Sequence, residues 1–157
     1  MSTRPPSGSA AVRDIRRSVT EATAAAAAHQ LEPLHAASSA KDPERLAIVQ
    51  GSVVRTLLEQ LHPGGLSSAD AQETIQRCAR AAAPWYPDLD SNLLVLVLMG
   101  ALGATDPTDG PQPNHTAISE HAALLIADLL AVADEPLDGY LSFALAEIER
   151  AETMELP

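Results

Sequence analysis

The chain has 157 residues, among them 29 alanines and 21 leucines but only four aromatics: Trp85, Tyr86, Tyr140 and Phe143. That length suits one domain able to bury a core without covalent staples, and alanine and leucine are helix formers where β-branched and aromatic residues would be needed for sheets. The net charge is -11 and Cys78 is the single cysteine, which excludes an internal disulfide framework and a cysteine-based zinc site.

Residues 1–9 are polar and rich in Pro and Ser, with no apolar segment of the kind a secretory signal needs, and read as a disordered leader ahead of a domain over 10–157. From about Ala10 to Gln30, Val12, Ile15, Val19, Ala22 and Ala26 recur at three- and four-residue steps and predict a long first helix. Its alanine tract, Ala24 to Ala28, permits close backbone approach of a neighbour, and Pro33 is expected to end or kink it. Asp42 followed by Pro43 predicts the start of a second helix, with Leu46, Val49, Val53, Leu57 and Leu61 in one row and His62-Pro63-Gly64-Gly65 as the stop. Ser67 with Asp70 has the form of a capping box opening a third helix, which runs to Pro84 with Ile75, Cys78, Ala79 and Ala82 on its apolar face.

The fourth predicted helix, Ser91 to Gly103, has no polar position from Leu93 to Leu102, so either its own bundle or a second subunit must cover it. Ten apolar residues are too few for a bilayer, which takes roughly 20, so no membrane span is expected there. A long polar connection, Ala104 to Asn114, precedes a broadly apolar fifth helix over Thr116 to Asp134. A last helix runs from about Leu137 to Thr153. The expectation is an all-α, single-domain bundle of five or six helices.

Charge is unevenly placed. Residues 1–20 hold Arg4, Arg13, Arg16 and Arg17 against Asp14, whereas residues 84–157 hold only Arg150 against thirteen acids. So acidic a half repels phosphate backbones, which argues against nucleic-acid binding. The basic start suits docking on the acidic remainder, in the same chain or a neighbour.

Two Glu-x-x-His pairs, Glu32 with His35 and Glu59 with His62, have the spacing that puts a carboxylate and an imidazole on one helical face, as metal-binding bundles require. Both lie at helix ends on consecutive helices, where histidine also serves the helix dipole. Trp85 and Tyr86 in a proline-bounded connection, with His115 and His121 at the start of the fifth helix, are the candidate ligand-binding residues. Glu120 beside them suits a solvated helix N-terminus. Asp90-Ser91 at the head of an apolar helix resembles the start of the phosphopantetheine-bearing helix of acyl carrier proteins. Asn92 stands where that helix has Leu, however, and the helix that follows lacks its acidic positions, so capping explains both residues. No nucleophile elbow or phosphate-cradling glycine loop is present, and no cofactor is expected. These features point to a cytoplasmic, non-catalytic protein working through self-association, as a homodimer, and through a protein partner. A helical pocket for a small apolar ligand is the alternative, and a metal-dependent enzyme on the two Glu-x-x-His pairs a third.

Overall fold

The computed structural model describes residues 7–103 and 114–155. Among them the chain is all-helical, with seven helices: α1 (Ser7–Ala27), α2 (Leu31–Ser38), α3 (Pro43–Leu61), α4 (Ser68–Ala82), α5 (Ser91–Ala101), α6 (His115–Ala133) and α7 (Leu137–Glu155). Ser7 to Ser9 of the expected leader already belong to α1, and its residues 1–6 lie outside the described residues.

The helix that the sequence reading lacks is α2. The chain breaks at His29, four residues before Pro33. His29 takes a left-handed backbone (φ 60°), its N–H donates to the Ala26 carbonyl (3.2 Å), and the next N–H, of Gln30, donates to the Ala25 carbonyl (2.9 Å). These are the two bonds of a Schellman stop, with histidine where glycine is usual. Pro33 then falls in the first turn of α2, where its missing N–H breaks no intrahelical bond.

Other boundaries follow local chemistry. The Asp42 side chain accepts from the Arg45 N–H at the head of α3, with Pro43 at the first helical position. Ser67 and Asp70 exchange both bonds of the capping box, each at 3.1 Å. Those bonds hold the Asp70 carboxyl below the usual carboxylate range, the Ser67 backbone N–H contributing most. Asp90 accepts from the Asn92 N–H to open α5, and Asn114 accepts from Thr116 and Ala117 to open α6.

Helix α6 is the axis of the bundle, packed against α1, α2, α3, α4 and α5, while α7 closes the outside of α3 and touches α1. Every residue from Ser119 to Ile126 is buried, which explains why this helix has no wide polar face. It is also the one helix among the described residues long and apolar enough to cross a membrane. Ile15 and Val19 of α1, Val53, Val54 and Leu57 of α3, Leu94 and Leu98 of α5 and Leu141 of α7 complete the core.

The basic first helix does reach the acidic last one: Arg16 meets Asp138 at 3.3 Å and Ser142 at 3.2 Å. Both partners are solvated, so the contact orients more than it stabilises. Arg4 lies outside the described residues.

Candidate functional site

The polar interior is organised around Glu120, one of two acids on the largely apolar axis helix. Glu120 on α6 is only 3 % exposed. Its Oε1 accepts from the Tyr86 hydroxyl at 2.5 Å, and its Oε2 meets Nδ1 of His35 on α2. A single carboxylate thus ties α2, the connection after α4 and α6 together. Burial of such a group is tolerated only when its oxygens are satisfied, as both are here. Desolvation pushes the Tyr86 phenol well above its ordinary value, and the bond to Glu120 adds to the effect.

His121 extends the cluster. Its Nδ1–H donates to the Ala117 carbonyl at 2.7 Å and its Nε2 accepts from the Asp90 backbone N–H at 3.0 Å. The pairing assigns the Nδ1–H tautomer and leaves neither ring nitrogen for a ligand. The ring also meets Tyr86 edge to face, with centroids 5.3 Å apart. Nearby, Gln50 of α3 donates to the Ser119 carbonyl at 3.2 Å. The expected solvated first turn at Glu120 is therefore corrected: α2, α3 and the 84–90 connection close over it.

Three of the four candidate ligand residues lie together: Tyr86 and His121 belong to this cluster, and Trp85 meets Tyr86 edge to face (5.8 Å) while stacking on His29 (5.1 Å, 8° between planes). His115 is exposed at the first position of α6, and residues 104–113 of the long polar connection before it lie outside the described residues. The two Glu-x-x-His pairs do not converge. His35 faces Glu120 while Glu32 is exposed, Glu59 pairs with Arg55 at 3.7 Å, and His62 lies 3.7 Å from Asp70. Among the described residues no three His, Cys, Asp or Glu side chains come together as a metal cluster.

Chemically, the cluster offers one oriented imidazole. With Nδ1 on a buried carboxylate, His35 directs Nε2 away from that bond, and 45 % of its side chain is solvent-accessible. Glu120 as the organiser was not singled out by sequence reasoning. The available signal was a lone acid between Ile118 and Ala122 on an otherwise apolar helix face.

A second feature lies on the outside of α5. Leu94, Val97 and Leu98 are buried against α3 and α6, but Val95, Leu96, Met99 and Leu102 are 37–43 % exposed. Between this face and α4, a shallow apolar groove of about 420 Å³ runs past Ile75 and Met99. One chain therefore covers only one side of the helix.

No protein-family model, curated protein or solved structure matches the chain.

Proposed function

We propose that this chain is a non-catalytic acidic helical bundle that acts by self-association, as a homodimer, and by binding a protein partner. The observation that carries the reading is the outer face of α5, where Val95, Leu96, Met99 and Leu102 stand together in solvent with no charged residue from Ser91 to Ala101. Contiguous exposed apolar side chains of this kind mark interaction surfaces. The electrostatics favour the same face. Two chains of net charge -11 repel one another over most of their surface, so they meet at least cost where neither presents charge. Gly100 lies exposed on that face and allows helix backbones to approach closely. A two-fold arrangement, with each α5 against its mate, is the simplest closed solution. A cytoplasmic setting belongs to the same proposal, supported by the single, buried and unpaired Cys78.

Multi-angle light scattering at micromolar concentration tests self-association directly. A mass twice the 16.4 kDa of the chain is expected, and a single-chain mass would overturn the reading.

A further inference from the structure

We propose that the groove between α1, α4 and α6, closed at one end by the stacked rings of His29 and Trp85, is a binding site for one small neutral aromatic molecule. This site is separate from the face of α5 and stands or falls independently of it.

The groove follows from the alanine content. Helices α1 and α4 each pack on α6 but have no substantial packing with each other among the described residues. Where their sides face one another the side chains are methyl groups, Ala26 on α1 and Ala82 on α4, and Ala127 on α6 lies between them. Methyl groups cannot bridge a gap between helix axes that a leucine or phenylalanine would fill, so a cavity of about 190 Å³ remains.

Its size and polarity select the ligand. At about 190 Å³, in a groove half-open to solvent, the space is smaller than the ~300 Å³ or more that drug-sized ligands need, so a single ring is the right scale. The acid in the lining, Asp128, is already held by Arg77 through Nε at 2.9 Å and an Nη at 2.8 Å. No unpaired charge therefore calls for an ionic ligand. Cys78, 1 % exposed, also lines the cavity and has no hydrogen-bond partner among the described residues. It packs there as a small apolar side chain. The end wall is fixed as well. The Schellman stop holds His29 in its left-handed conformation, and the imidazole in turn holds one face of Trp85.

Trp85 is the only tryptophan, so its emission reports this site alone. Iodobenzene, a heavy-atom quencher of one-ring size, is titrated into the full chain, followed by excess toluene. Saturable quenching that toluene reverses is expected. Ala127→Leu, which places an isobutyl group in the space, is expected to weaken the apparent affinity at least tenfold while the melting temperature holds or rises. Ala81→Leu alters an exposed lining position and gives the same test should Ala127→Leu fail to fold. Quenching that grows linearly without saturation, saturable quenching that toluene does not reverse, or equal affinity in the folded variants would overturn the proposal.

Discussion

Replacing Tyr86 by Phe removes one oxygen from the centre of the bundle and changes almost nothing else in shape. The lost hydroxyl is the donor to Glu120 Oε1, and both side chains are buried. A hydrogen bond to a carboxylate contributes ~1.5–3 kcal/mol, and an acceptor left unpaired in the core keeps its full desolvation cost. Tyr86→Phe should therefore cost about 2 kcal/mol. With an unfolding entropy of ~2.1 cal/mol/K per residue, a chain of this length loses about 6 °C in melting temperature for that amount. Tyr140→Phe is the matched control. It deletes a hydroxyl bonded to Gln60 Oε1 at a similar length, 2.7 Å, but at the exposed edge of α3 and α7, where water takes over and the cost should stay below about 0.5 kcal/mol. Thermal unfolding followed by circular dichroism measures both. Equal losses in the two variants, or no loss in Tyr86→Phe, would refute the idea that Glu120 is organised by a buried donor.

Alkaline pH provides a second check. Burial pushes the Cys78 thiol up from 9.0 to about 12, so the unfolded chain ionises first and stability falls as pH rises from about 9 to 12. The span corresponds to at most ~4 kcal/mol at its upper end, and Tyr86 acts in the same direction above about pH 10. Urea unfolding midpoints at pH 8 and 10.5 should show the decline in the wild type and a shallower one in Cys78→Ala, while an identical slope would contradict it. Native Cys78 should likewise resist alkylation at pH 8 until the chain is unfolded. Ser67→Ala removes half of the capping box and should cost about 1 kcal/mol. It should also raise the Asp70 carboxyl part of the way to its ordinary value, the Ser67 backbone N–H that contributes most being retained, so that somewhat less stability is lost below about pH 4. An NMR titration in which Asp70 does not move would count against the cap as the cause.

Helices whose ends are written in side chains were legible from the sequence. Asp42-Pro43 and Ser67 with Asp70 mark the starts of α3 and α4 because a cap is a contact over two or three residues. The break at His29 was not legible, since the left-handed residue that ends α1 is not a glycine and Pro33 offered a more conspicuous but misplaced stop. Glu120 escaped for a different reason. Its partners lie 85 and 34 residues away, and nothing in the pattern of α6 says which neighbours will cover its first turns. For α5 the sequence showed that every side is apolar but not which side the chain itself would cover. Packing against α3 and α6 decided that, leaving Val95, Leu96, Met99 and Leu102 outside.

That outer face is tested most directly by charge. Val95→Glu combined with Met99→Glu alters exposed positions only and should leave the helical signal and melting temperature of the subunit close to wild type. Across a two-fold contact it would bring at least four carboxylates into an apolar interface, enough for a loss of several kcal/mol. Sedimentation equilibrium should then show the dissociation constant weakened at least a hundredfold, with single chains prevailing at micromolar concentration. A variant that still sediments with the wild-type dimer mass would contradict association through α5.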